Sequence, residues 1–479
     1  MENKKIEFKE ELERKYKIGY AVSNSAHMLL SGIGMGSMDY FYKQIFIRQG
    51  VDLKLASNLI GWAWILFMVW NAVNDPLFGI LEEKTKSKLG RRIPYLRYGS
   101  IAYGLLFILI WFPIQTNNPY IIFLNFLLML AIFDTIYTII GLITYSLPAE
   151  MAITAEQRAS ILIYNSIIGL ISQILGFALP AMVLQNENFN LINVQIVMTI
   201  TGIISGFILY LGSFYIKEHK YAQEEETLGF IESIKQTFKN KPFLILEVSL
   251  FFITMGQTIF TGTGILFLID YILKFESIIE YLVLIPAIVL AIYGFIYFNK
   301  NISTWGLKRV FIIGMFLMSL GFFSFLAFGF VRYLIWIPLS FAFIGLVVYI
   351  ITGQNLMADV IDYDEVLTGK RRETSYSGVN ALITKPAISI AKKIFFFILA
   401  FFIYDTGQFD SNGNPIQDYS PIGVLIAFSV LPGICFLIAG IAMIKFPLQG
   451  ETWIKQKIKL HEIHMKKEKE YLLKLKKGL

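Results

Sequence analysis

Long apolar runs separated by short polar stretches recur from one end of the chain to the other. Twelve of them reach the ~20 residues a helix needs to cross a bilayer: 18–42, 55–81, 95–115, 119–147, 160–184, 193–216, 243–272, 278–298, 308–328, 332–357, 377–404 and 421–445. The pattern predicts an all-α membrane protein. Lysine and arginine then orient it, because basic residues concentrate in cytoplasmic loops. One set of loops holds Lys84, Lys86, Lys88, Arg91, Arg92, Arg158, Lys217, Lys300, Lys308, Arg309, Lys370, Arg371 and Arg372. The opposite set holds only Lys43, Arg48, Lys54, Lys274 and Arg332. Both termini are therefore expected in the cytoplasm, and the protein in the cell membrane.

The longest hydrophilic stretch between spans is the loop 217–242, which divides the spans six and six. Gly90-Arg91-Arg92 precedes the third span, and Gly306-Leu307-Lys308-Arg309 precedes the ninth. A basic turn at the same point of each half predicts a duplicated six-helix unit, a common build for transporters. The expected organisation is a cytoplasmic N-terminus over 1–17, a six-helix bundle over 18–216, the middle loop 217–242, a second bundle over 243–445 and a basic tail over 446–479. The tail combines a helical apolar stripe with many lysines, so it is expected against the anionic inner leaflet or as a solvated helix.

Composition agrees with the pattern. Hydrophobic residues make up 56% of the chain and charged residues 16%, against about 25% charged in soluble domains. The net charge of +7 follows the loops of one side, so it reads as topology and not as nucleic-acid binding. The single cysteine, Cys435, excludes an internal disulfide and a cysteine-based metal site. The charged segment 1–17 lacks a small-residue cleavage site, so no removable signal peptide is expected. No HExxH zinc helix, GxSxG elbow or Walker loop is present, which argues against an enzyme and against ATP driving within this chain.

Ionisable residues inside spans are costly and are candidates for function. Asn71, Asn74 and Asp75 lie at i, i+3 and i+4 in the second span, on one helix face. Pro76 follows and frees the carbonyl of Ala72. Two amides, a carboxylate and a free carbonyl form a candidate cation seat. Asp134 lies near the middle of the fourth span, with Tyr137, Thr138 and Tyr145 beyond it. Lys385 lies in the eleventh span before Pro386, and Lys392 and Lys393 follow at +7 and +8. Three ammonium groups against two carboxylates suggest an anionic substrate. Each of these groups also has a plain packing role open to it, as an interhelical hydrogen-bond partner. Across the two halves, Arg91 and Arg92 are candidates for an inner gate with Glu150, Asp359 and Asp362.

Two stretches carry a resemblance. Asn74-Asp75-Pro76 to Gly79, followed by Lys84-Thr85-Lys86-Ser87-Lys88-Leu89-Gly90-Arg91-Arg92-Ile93-Pro94, resembles the helix 2 and loop signature of the glycoside–pentoside–hexuronide:cation symporters, within the major facilitator superfamily. Ala358-Asp359-Val360-Ile361-Asp362-Tyr363-Asp364-Glu365, then Thr368-Gly369-Lys370-Arg371-Arg372-Glu373, is similar to a second signature of that family. The animal sodium-dependent lysophospholipid symporters share the pattern. The resemblance implies two six-helix pseudo-symmetric bundles working as a monomer. It matches Asp75 to a cation-site aspartate, Lys385 to the family lysine on helix 11 and Tyr145 to an aromatic that stacks on sugar. The second helix 2 acid is Asn71 here, and an acid expected on helix 4 is Gly141. The sugar-contacting acid falls near Met28 and an arginine near Ser166.

The reading is a secondary transporter that moves a small solute, a sugar, glycoside or sugar acid, by alternating access. Na+ or H+ is the expected coupling ion, and no other cofactor is expected. The partners are a small-molecule substrate and the lipid bilayer. The alternatives are an amphipathic anion such as a lysophospholipid as cargo, or a membrane sensor that kept the fold and lost transport.

Overall fold

The computed structural model describes residues 12–85, 87–152, 155–185, 189–216, 237–275, 278–368, 372–409 and 415–451, together with 453, 455–458 and 460. Most of the middle loop and the tail beyond 460 lie outside the described residues. So do Lys86, Lys370 and Arg371 of the basic loops.

The first six long helices are α1 (Arg14–Arg48), α2 (Leu53–Lys84), α3 (Ile93–Ile110), α4 (Pro119–Met151), α5 (Ala155–Val183) and α6 (Leu191–Gly212). Their starts follow local chemistry. Asp52, Asn118 and Asn190 each accept a hydrogen bond from a backbone N–H just inside the helix they precede, which satisfies donors that the first turn leaves open. Beyond the middle loop come α7 (Lys241–Phe260), α8 (Ile285–Trp305), α9 (Leu307–Phe328), α10 (Trp336–Thr368), α11 (Glu373–Phe401) and α12 (Pro421–Ile444). Gly306 separates α8 from α9 with a φ of +79°, which side chains with a Cβ rarely adopt.

Among the described residues, ten helical segments are long and apolar enough to cross a membrane. The other two long helices, α1 and α11, have the length, at 35 and 29 residues, but carry interior charges, among them Asp39, Lys43, Lys385, Lys392 and Lys393. Both pack inside the bundle. Helix α1 lies against α4, α5 and α6, and α11 against α2 and α7. The seventh span, expected as one helix over 243–272, is broken. After Phe260 the chain turns at Thr261 and Gly262, resumes as a short helix Thr263–Phe267, and ends in a π-helical turn Leu268–Leu273. Two glycines within three residues, Gly262 and Gly264, weaken the helix there.

The pairings recur six helices apart. Contacts α1–α5, α1–α6, α2–α4 and α3–α6 in the first half correspond to α7–α11, α7–α12, α8–α10 and α9–α12 in the second. Small residues let helices approach closely. A Cβ on Gly104 of α3 would stand 2.8 Å from the carbonyl oxygen of Gly202 on α6. A two-stranded antiparallel hairpin, β1 (Ile403–Phe409) and β2 (Pro415–Tyr419), joins α11 to α12, with Ile403 opposite Tyr419 and Asp405 opposite Gln417. It sits at the end of the bundle away from the basic α2–α3 turn.

Candidate ion and solute site

The two halves meet along α2 and α11, which run antiparallel. Helix α2 brings the face of Asn71, Asn74 and Asp75 to this seam, and Asn71 and Asn74 are buried. From α11, the Lys385 ammonium reaches across and pairs with the Asp75 carboxylate. It also donates to Asn74 Oδ1 at 3.4 Å and to Thr138 Oγ1 of α4 at 3.3 Å. Asn74 Nδ2 donates in turn to Asp134 of α4. Four candidates from the first half and Lys385 from the second thus form one hydrogen-bonded group. Two acceptor oxygens, Asp134 Oδ1 within it and Asn71 Oδ1 one turn along α2 from Asn74 and Asp75, are buried and make no hydrogen bond. Lys385 and Asp75 keep 16% and 15% side-chain exposure, so water or an ion can reach the pair.

Tyr137 stacks on His27 of α1 with ring centroids 5.5 Å apart, which gives this histidine a packing role beside the group. Gly141 faces the same ring: a Cβ there would lie 3.5 Å from His27 Nε2. Tyr145, one turn farther along α4, is 74% exposed and outside the group. Lys393 lies over the Trp62 ring at 4.3 Å, not with Lys385.

Lys392 lies elsewhere and corrects the charge count. Its ammonium pairs at 2.7 Å with Asp39 of α1, both groups essentially buried at 1% and 0% exposure. Thr263 donates to Asp39 at 2.6 Å, and the Trp64 ring lies 4.8 Å from the ammonium. Sequence reasoning missed Asp39, which lies close to a span end and reads as a headgroup-level charge. With Lys392 neutralised, the surplus of positive charge that suggested an anionic substrate is gone.

Asp39–Lys392 belongs to a closure between the halves at the end predicted to face outward. The backbones of Gly36 in α1 and Gly262 approach closely. Tyr40 donates to Asp270, and the Lys43 ammonium donates to Tyr271 Oη at 3.3 Å while lying 4.0 Å from the Tyr40 ring. From the hairpin, Tyr419 and Ser57 of α2 share a hydrogen bond of 2.5 Å, and Gln417 accepts from the Leu53 N–H at 3.1 Å. Burial pushes the Asp418 carboxyl above its usual value.

At the other end, Arg91 and Arg92 are half-buried at the α2–α3 turn. Asp359 accepts from Lys457 and from Trp453 Nε1 at 3.2 Å, so these contacts tie it to the C-terminal segment of its own half. Asp364 clasps Arg372 and holds the guanidinium above the usual arginine value. The Glu150 side chain lies outside the described residues. Among the described residues no cluster suited to a bound metal ion of the His/Cys/Asp/Glu type occurs.

Known proteins match this architecture. The chain is 22% identical over 437 residues to a putative glycoside/cation symporter, YagG, of Escherichia coli, covering 89% of this chain and 90% of that protein. It is 23% identical over 313 residues to the mouse sodium-dependent lysophosphatidylcholine symporter 1, covering 58% and 57%. Among solved structures, a D-xylose-proton symporter superposes with a TM-score of 0.62 at 14% identity, over 90% of this chain and 96% of that one. A family model described as MFS/sugar transport protein matches residues 19–450, and the chain belongs to that family of secondary membrane transporters.

Proposed function

We propose that the protein moves a small, neutral polar solute of the glycoside class across the cell membrane, coupled to a monovalent cation, with both termini in the cytoplasm. One observation carries the coupling: Lys385 from one half occupies Asp75 in the other, beside the unpartnered buried oxygens of Asp134 and Asn71. A Na+ or H+ arriving at Asp75, Asn71, Asn74 and Asp134 replaces the ammonium, because the group cannot hold both charges equally well. Release of Lys385 then breaks a bond between the halves, which is what alternating access requires. A neutral cargo is supported by the Asp39–Lys392 pair, which removes the positive surplus. The glycoside class is supported by the name of the YagG relative. Arg91 and Arg92 would close the inner end.

The test is thermal stabilisation of the purified protein by NaCl against choline chloride, at two pH values, with neutral glycosides, sugar acids and lysophosphatidylcholine added in turn. Stabilisation by NaCl, or by lowered pH alone, in the wild type and not in Asp75→Asn identifies the ion. A neutral glycoside that adds to it supports the cargo class. Stabilisation by lysophosphatidylcholine alone overturns the cargo, and equal ion responses in wild type and variant overturn the site.

A further inference from the structure

One buried carboxyl takes no part in the group above. Glu247 lies in α7, about 9 Å along the helix from its start, and is 2% exposed. Its own helix surrounds it with Phe243, Leu246 and Leu250, all buried. From α12 the seam with α7 presents Phe436, against Gly256, and the Ala439 carbonyl, which accepts from Ser249 at 3.0 Å. Helix α10 presents Tyr349, close enough for its hydroxyl to sense the Glu247 charge. Helix α11 presents Asn380, with Tyr376 one turn before it, bonded instead to Asn240 at 2.8 Å, and Lys385 five residues after it, committed to Asp75. Among the described residues no cation stands beside Glu247.

The Asn380 amide distinguishes the two proton states of this carboxyl. Turned with Nδ2 toward Glu247, it lies 3.2 Å from both oxygens and donates to a carboxylate. Turned the other way, Oδ1 occupies the same place and accepts from a carboxylic acid O–H. In that orientation Nδ2 faces only donors, so protonation of Glu247 trades the amide's satisfied arrangement for a poorer one and changes how firmly Asn380 holds α11 to α7. An unpaired charge held in such surroundings is costly, and uptake of a proton relieves that cost.

We propose that Glu247 is a second coupling site, a proton site within the second half, connected to the first through α11. Asn380 and Lys385 ride on the same helix, so a change of proton at Glu247 acts on the seam through Asn380. This deepens the ion-coupled reading above and rests on it. A carboxyl proton is observable whether or not that reading holds.

The experiment is infrared difference spectroscopy of the full chain in lipid between about pH 5 and about pH 9, the range in which buried glutamates have been found to titrate. Wild type, Glu247→Gln and Asn380→Leu are compared. In the same samples, double electron–electron resonance measures the separation of the halves between spin labels at Lys54 and Gln408. A protonated-carboxyl band lost with rising pH and absent in Glu247→Gln is expected, with its midpoint displaced in Asn380→Leu. The label distances should respond to pH in the wild type and not in Glu247→Gln. A band unchanged by Glu247→Gln overturns the assignment of the proton. A titrating Glu247 with label distances that ignore it overturns the coupling, and leaves the Asp75 ion test untouched.

Discussion

Replacing Asp39 by Asn should open the outer end. In the closed arrangement Asp39 and Lys392 are withdrawn from water almost completely, so no solvent screening softens the loss. Breaking a buried ion pair by removing one partner costs about 3–5 kcal/mol, most of it from the charge left behind. Asparagine keeps one acceptor for the ammonium, and Met35 O at 3.3 Å and Thr263 also remain, so the low end applies. About 3 kcal/mol changes the ratio of closed to open molecules by roughly a hundredfold, provided that opening lets Lys392 reach water. The assay is the distance distribution between spin labels at Lys54, at the start of α2, and Gln408, in the hairpin, both exposed. The buried Cys435 is replaced by Ala beforehand. Wild type should give a short-distance population, and Asp39→Asn a second, longer one. Asp39→Asn combined with Lys392→Met should restore the short population, because no charge is then left buried without its partner. An unchanged distribution in Asp39→Asn refutes the reasoning, as does a double variant no more closed than the single.

Under the proposed coupling, Lys385→Ala removes the ammonium that competes with the cation at Asp75. A coupling at the low end for close charge pairs, about 1.5 kcal/mol, corresponds to roughly tenfold tighter cation binding, read from a lower NaCl or proton concentration at half-maximal stabilisation; transport should fall. In the hairpin, the Asp418 carboxyl is pushed above its ordinary 3.8 by burial. A group that binds its proton more tightly when folded contributes stability that is full below the unfolded value and is lost as pH rises through the raised one. Hydrogen exchange of the hairpin amides should therefore quicken, beyond its intrinsic rise, as pH climbs above 4 in the wild type and stay flatter in Asp418→Asn.

The membrane fold was legible because its signal is local. A run of apolar residues needs no partner to be recognised, and loop charge orients it without knowledge of packing. The face shared by Asn71, Asn74 and Asp75 was legible for the same reason, since helical spacing alone sets it. Lys385 stood out because a lysine amid apolar residues is costly wherever the helix packs. Its partners were beyond sequence reasoning: Thr138 and Asp75 meet it at sequence separations of 247 and 310. Charges near span ends were harder still. Asp39 and Glu247 lie within about one turn of predicted span limits that carry errors of several residues. Hydropathy cannot separate a side chain reaching headgroups from one turned inward. The break after Phe260 was masked because Thr261 to Gly264 interrupts the helix without interrupting the apolar run.

Helix α11 is where these observations converge. Lys385 and Lys392 are seven residues apart, two turns or about 10 Å, and share a face. One holds Asp75 and the other Asp39, each on the opposite half. Asn380 is five residues before Lys385, turned by about 140°, and faces Glu247 within its own half. The two lysines bear unequal loads. Lys392 is sealed from water and can leave Asp39 only when the outer end separates, whereas Lys385 is reachable by an ion while that end stays shut. A cation can therefore release the middle contact first, from the closed state. The outer pair yields only if the seam as a whole moves. Under the proposed coupling, ion arrival at Asp75 precedes outer opening, and a variant that frees Lys385 without freeing Lys392 should bind the ion tightly while staying closed outside.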